Sequence, residues 1–270
     1  MVKGRARDIP PLVVVAWTQA VACATWIAFF LISGHVYVAP GSAWPAIVVS
    51  SVLVLGMSGL LARASARGDI SIVGPVLALS PIFTIVPDAL LSGAVPSALG
   101  WLGLALSLTG TASLSGGGAG LAGRLRVLFA RRDALDALGS AFLLGLLAAV
   151  DRWAALALGP PSYLVSSHGA TAVLTTLIVL LTDPRALRES IEPRNLVTVV
   201  SHGLLGVTGT GMQTHALTLA PAAYVNAIRR MSAVLAVLLG RALFGEPELA
   251  RRLTAALLAC LGAACLLLAG

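Results

Sequence analysis

The chain has 270 residues, of which 58% are hydrophobic and 11% charged, and a formal net charge of +7. A soluble domain is about half apolar and about a quarter charged, so this composition excludes a water-soluble globular fold. The basic residues sit in short connections between apolar blocks rather than in one stripe, which argues against a nucleic-acid partner. The alternation over roughly 10 residues that a membrane β-barrel needs is also missing.

The apolar blocks are about 20 residues long, the length that crosses a bilayer core as a helix. They predict an all-α, polytopic membrane protein with nine spans. In chain order these are 11–33, 43–63, 70–92, 97–115, 134–158, 162–182, 196–219, 222–244 and 252–269. The basic segment "MVKGRARDIP" before the first span resembles the start of a signal peptide, but Pro11–Ser33 is long for a signal core and no small-residue cleavage site ends it. It is read as a retained helix. Cys23, Cys260 and Cys265 lie inside apolar blocks and are read as small packing residues.

Lys and Arg fall in every second connection. Residues 3–7, 63–67, 124–132, 185–194 and 241–252 carry three, two, four, three and three of them, and the intervening connections carry none. Positive charge marks the cytoplasmic side, so the N-terminus is expected inside and the C-terminus outside. Tyr37, Trp44, Trp101, Tyr163 and Tyr224 then lie at outer ends, as interfacial aromatics.

The expected organisation is a basic segment 1–10, a first helical repeat 11–115, a glycine-rich basic linker 116–133 and a second repeat 134–270. Gly118, Gly120 and Gly123 in the linker fit G-x-G-x-x-G, but a membrane span precedes them where a nucleotide site needs a strand, so a hinge is the better reading. A shift of 152 residues lays spans of the second half on the first and matches Gly59 to Gly211, Ser80 to Ser232, Gly93 to Gly245 and Gly110 to Gly262. Five helices separate equivalent positions, so matched helices cross in opposite directions: a 4+5 inverted repeat, with a site expected near the repeat interface.

Several segments carry a family resemblance. "GDISIVGPVLALSPIF" (Gly68–Phe83), Gly93 and "GWLGLALSLTG" (Gly100–Gly110) are joined in the second half by "VDRWAAL" (Val150–Leu156), "YVNAIRRMSAVLAVLLGRALFGE" (Tyr224–Glu246) and Gly262. Over most of 43–270 the chain resembles the EamA-like family of the drug/metabolite transporter (DMT) superfamily. The resemblance implies a basket of helices around a central cavity and movement of small metabolites, often outward. It also implies ten spans, so the first is expected to be missing here, and an N-terminus on the other side from the one the charges give. Ala94 stands where the first repeat often has an acid matching Glu246.

Charged groups at membrane depth cost about 2.5–3.5 kcal/mol each on insertion scales and persist where they face protein, water or a partner. At ~1.5 Å rise per residue, Arg229, Arg230, Asp151 and Arg152 lie about 10 Å from one face and Asp88 about 6 Å from it. His168, Gln213, His215 and Asn226 fall in the same half, while His202 lies near the other face. These nine residues of five spans are the candidate substrate-binding set. One arginine of the pair Arg229 and Arg230 is expected to neutralise Asp151 and the other to face an aqueous cavity. A bland reading is kept beside each: arginine stems snorkel to an interface, an Asp–Arg pair locks packing, histidines bond between helices, Asp88 ends a helix, and Glu246 caps a loop. Pro75, Pro81 and Pro87 on one span are candidate kinks.

The expected function is secondary transport of a small polar metabolite, an amino acid, nucleoside or similar anionic or zwitterionic solute, in the export direction. The alternatives are a magnesium or other cation carrier of the same superfamily, an integral membrane enzyme, and a non-transporting scaffold. A cation site should concentrate carboxylates, yet arginines outnumber them at depth. No HExxH spacing supports an enzyme. No cofactor, metal or catalytic residue is expected. The partners are a small solute and the bilayer of a bacterial inner membrane, with a homodimer left open.

Overall fold

The computed structural model describes residues 10–34, 36–67, 76–77, 79–93, 95–113, 132–190 and 193–230, with a few single positions between 258 and 268. The described residues form helices and no strand: α1 Pro11–Ser33, α2 Trp44–Arg67, α3 Ser80–Ser92, α4 Ala98–Ser113, α5 Arg132–Leu158, α6 Pro160–Thr182, α7 Pro184–Ser190, α8 Pro193–Leu219 and α9 Ala222–Arg230. Among the described residues four helices are long and apolar enough to cross a membrane: Pro11–Ser33, Gly41–Ala66, Arg132–Leu158 and Pro160–Thr182. The expected linker glycines, Pro75, Ala94, Glu246, Cys260, the basic segment 1–9 and most of the spans 222–244 and 252–269 lie outside the described residues.

The chain divides into two compact units, one of Met1–Gly59 with Val150–Leu219, the other of Leu60–Ala149 with Ala220–Gly270. Each unit draws on both sequence halves, and the divisions fall inside α2, inside α5 and between α8 and α9.

In the first unit, α1 packs against α6 and α8. Val13 packs with Val179, Gln19 bonds His168, and Cys23 Sγ meets the Val165 carbonyl at 3.6 Å. Numbers rise along α1 as they fall along α6, so the two helices are antiparallel. Along α8 they rise together, with Gly203 against Val21 and Gly211 against the Trp26 ring, so α1 and α8 are parallel. A Cβ at Gly203 or Gly211 would stand 2.9 or 2.7 Å from its neighbour, so the missing side chains set the close approach of the helices. The sharp return from α5 into α6 runs through Gly159, whose φ of 75° suits glycine, followed by Pro160 and Pro161 at the first turn of α6. Helix α7 was not expected. Its signal is Asp183-Pro184, a capping acid before a proline, and Asp183 Oδ1 accepts from the Ala186 N–H at 3.2 Å.

In the second unit, α9 packs on α3 and α4 through Ala223, Tyr224, Ala227 and Leu104. Helix α3 carries Pro87 inside and ends at Gly93, φ 67°, whose N–H reaches the Ala89 carbonyl at 3.1 Å. Helix α5 meets α3 at Gly145, where an added Cβ would lie 2.7 Å from Phe83 Cβ and 2.9 Å from the Ser80 carbonyl oxygen. Phe83 and Phe142 pack edge to face beside it at 5.6 Å.

Two of the expected interfacial aromatics are interior. Tyr163 and Tyr224 are each 2% exposed, because each hydroxyl has a polar partner inside the fold, whereas Tyr37, Trp44 and Trp101 are exposed. Since Gly145 faces backbone atoms that cannot swing aside, Gly145→Ala should destabilise the purified protein by about 1–3 kcal/mol. Gly59→Ala, whose Cβ meets nothing, should be neutral or slightly stabilising. Thermal unfolding followed by helical circular dichroism reads both, and equal midpoints would refute the packing argument.

Candidate functional site

The candidate residues divide between the units. Asp151, Arg152, His168, Gln213 and His215 belong to the first, and Asp88, Asn226, Arg229 and Arg230 to the second. The side chain of Arg230 and that of His202 lie outside the described residues, and Arg229 is exposed. The pairing of Asp151 with an arginine of α9 therefore stays an expectation.

In the first unit Asp151, near the end of α5, is half-buried. Its Oδ1 accepts from Ser50 Oγ of α2 at 2.9 Å and from the Tyr163 hydroxyl of α6. Ser50 also lies 3.1 Å from the Tyr163 hydroxyl and 3.5 Å from Ser167 Oγ. One turn further along α6, Thr171 Oγ1 donates to Ser51 Oγ at 3.1 Å. A carboxylate, a phenol and four aliphatic hydroxyls thus join α2, α5 and α6. Ala43, Ile47, Ala154, Ala155, Leu158 and Leu164 pack around Tyr163 as the adjoining apolar wall.

Arg152, the next residue, turns to α8. Its Nε donates to the Leu217 carbonyl at 3.0 Å. The last four carbonyls of a helix lack intrahelical donors, and the guanidinium supplies one. His215 lies on an exposed part of α8, and Gln213 is half-buried.

His168, one residue past Ser167, faces α1. Its ring Nδ1 is bonded to Gln19 Oε1. Beside this pair lies a cavity of about 130 Å³, lined by Thr18 and Gln19 of α1, His168 of α6, and Gly203, Gly206 and Thr210 of α8.

In the second unit, Asp88 is buried in α3, and its Oδ2 accepts from the backbone N–H of Ala222 at 2.7 Å. It thereby caps α9 from another helix. Asn226 is fully buried and donates through Nδ2 to Thr84 Oγ1 at 2.9 Å. The Tyr224 hydroxyl accepts from the Ser97 N–H at 3.1 Å. Asp88, Asn226 and Tyr224 together fix the first turns of α9 against α3 and the start of α4.

Sequence reasoning missed Ser50, Ser51, Tyr163, Ser167 and Thr171 around Asp151, and Thr18, Gln19 and Thr210 at the cavity. A signal existed for part of the set: Tyr163, Ser167 and Thr171 recur every four residues and so share a helix face. Among the described residues no group of three or more His, Cys, Asp or Glu is placed to hold a metal ion.

The helices and their hydropathy define a multi-pass helical membrane protein. The family model of the EamA-like transporter family matches residues 1–116. The resemblance to that transporter family, within the DMT superfamily, is thereby shown; the match takes in α1, Gly68–Phe83, Gly93 and Gly100–Gly110, and stops short of the second-half segments that carry the resemblance, Val150–Leu156, Tyr224–Glu246 and Gly262. No curated protein sequence matches the chain. One solved crystal structure is similar over 100% of this chain and 92% of its own, with TM-score 0.76 and 21% identity, a likeness of fold alone.

Removing the Tyr163 hydroxyl takes one donor from Asp151. Tyr163→Phe should cost about 0.6–1.7 kcal/mol, the range of interhelical hydrogen bonds in membranes. Asp88→Ala should cost about 1–3 kcal/mol by orphaning the Ala222 N–H, and Asp88→Asn, which keeps an acceptor, clearly less. Unfolding midpoints of the three variants in one detergent test this, and an Asn variant as unstable as the Ala variant would remove the capping role of Asp88.

Proposed function

We propose that the chain is a secondary transporter of a small polar solute, an amino acid, nucleoside or similar anionic or zwitterionic metabolite, moved outward across a bacterial inner membrane. The proposal includes nine spans in a 4+5 inverted repeat and transport without enzymatic chemistry. One observation carries it: Asp151, about 10 Å inside α5 by helical rise, is held on one side by Ser50 and Tyr163 yet is only half-buried.

A charge kept only to lock helices would be enclosed by its partners. Asp151 is gripped by buried donors and left partly accessible, the arrangement of a group that meets a passing solute. Arg152 is the next residue and also half-buried, turned to α8, so opposite charges lie at one depth on different faces of α5, which suits a solute with both signs. The EamA-like transporter match supports the same reading.

Purified protein in proteoliposomes, assayed for exchange of labelled amino acids and nucleosides, tests the proposal. Asp151→Asn preserves the shape and an acceptor for Ser50 and Tyr163 but removes the charge. It should lower exchange at least ~10-fold, equivalent to about 1.4 kcal/mol in the rate-limiting barrier, with helical content unchanged. Arg230→Ala should also reduce exchange while the protein still inserts. Undiminished exchange in both variants would reject this assignment of the pathway.

A further inference from the structure

Within the first unit, the cavity between α1, α6 and α8 is separate in its lining from the Asp151 cluster, and apart from the Gln19 amide NH2 the side-chain polar groups that line it present acceptors. The Thr18 hydroxyl donates its hydrogen to the Val15 carbonyl at 3.0 Å. That of Thr210 is shared between the Gly206 and Val207 carbonyls at 3.0 and 3.1 Å. Both hydroxyls therefore offer only lone pairs to anything beside them. Gln19 Oε1 can only accept, so His168 Nδ1 carries the ring hydrogen in their bond, and the neutral ring's Nε2 carries a lone pair. That Nε2 is buried and has no hydrogen-bond partner among the described residues.

Among the described residues no acid or arginine lines the cavity. An anion would meet the lone pairs of Thr18, Thr210 and His168, and an acyl chain would leave them unpaired. At about 130 Å³ the cavity offers roughly tenfold the space that one water requires on the same measure. Counted along α8 from Leu219, Thr210 lies about 13 Å and Gly203 about 24 Å deep, so the cavity sits near the middle of the helices.

The geometry points to this cavity as a binding subsite for a hydrogen-bond-donating, uncharged or cationic group: an amine or hydroxyl end of a small solute. The assignment rests on the transporter reading and deepens it, since it gives the solute a second point of contact besides the Asp151 cluster.

Gly206 supplies the test. It lines the cavity, its backbone is helical, and a Cβ built on it meets nothing within 4 Å. Gly206→Leu therefore fills the space without displacing a neighbour. Thr210→Val keeps the volume and removes one acceptor. The experiment is thermal unfolding of the full-length protein in detergent with millimolar ethanolamine, glycerol or acetate.

Ethanolamine, glycerol or both should raise the midpoint of the wild type, and acetate, which has no donor at neutral pH, should not. The responding donor tells amine from hydroxyl. Gly206→Leu should abolish the rise with its unliganded midpoint retained, and Thr210→Val should weaken the apparent affinity about fivefold, the worth of one hydrogen bond. If Gly206→Leu does not fold, Thr210→Val decides alone. No rise with either donor, an equal rise with acetate, or a rise untouched by the variants overturns the assignment. Proteoliposome exchange separates the two readings: exchange that persists unchanged in Gly206→Leu overturns the subsite and leaves the transporter, whereas a wild type that binds donors yet exchanges no solute overturns the transporter and leaves the subsite.

Discussion

A polar group at membrane depth has no water to fall back on, so its partner must come from the protein or from a wet cavity. That constraint explains most of the specific contacts in this chain. Arg152 does not wander to an interface; its Nε meets an end carbonyl of α8. Asp88 receives the first N–H of α9 where Pro221 has broken the chain. Thr84 and Ser166 return their hydroxyl hydrogens to carbonyls four residues back, which lets small polar side chains sit inside helices at little cost. Each of these groups would be a liability in lipid, and each has a hydrogen-bond partner within the protein.

The same constraint accounts for the use of glycine. Without water to expel, helices in lipid associate through close packing and interhelical bonds. Gly203 and Gly211 let α8 lie against Val21 and Trp26 of α1, and Gly145 lets α5 lie against Phe83 of α3. Other glycines of α8, Gly206 and Gly209, have no such neighbour. One helix therefore combines glycines that fix packing with glycines that leave room, and composition does not distinguish them.

The helices were largely legible from the sequence because their signal is summed over some 20 residues. Helices α1, α2, α4, α5, α6 and α8 begin and end within a few residues of the expected spans. The site was legible only in its charges. Depth along a helix follows from counting, so Asp151, Arg152 and His168 could be placed at a common level. Direction around the helix cannot be counted without knowing the neighbours. Tyr163 shows the difference: position alone made it an interfacial aromatic, whereas packing turned it inward to Asp151. Ser50 and Ser51 gave no signal, since serine in an apolar helix is common and only the crossing of α2, α5 and α6 gives these two a role.

Helix α6 shows how one element can serve several purposes once direction is known. Adjacent residues on a helix point about 100° apart. Ser162 and Ser166 face the segment after α1 and bind Val38 N and the Tyr37 hydroxyl. Tyr163, Ser167 and Thr171 face α2 and complete the Asp151 cluster. His168 faces α1 and bonds Gln19 beside the cavity. Ser167 and His168 are neighbours in sequence, yet they open onto different chemistry: one onto hydroxyls gathered at a carboxylate, the other onto acceptors around an uncharged space. Any rotation of α6 about its own axis would move both surroundings together. The rigid coupling of the two sets through this helix is therefore a property of its backbone.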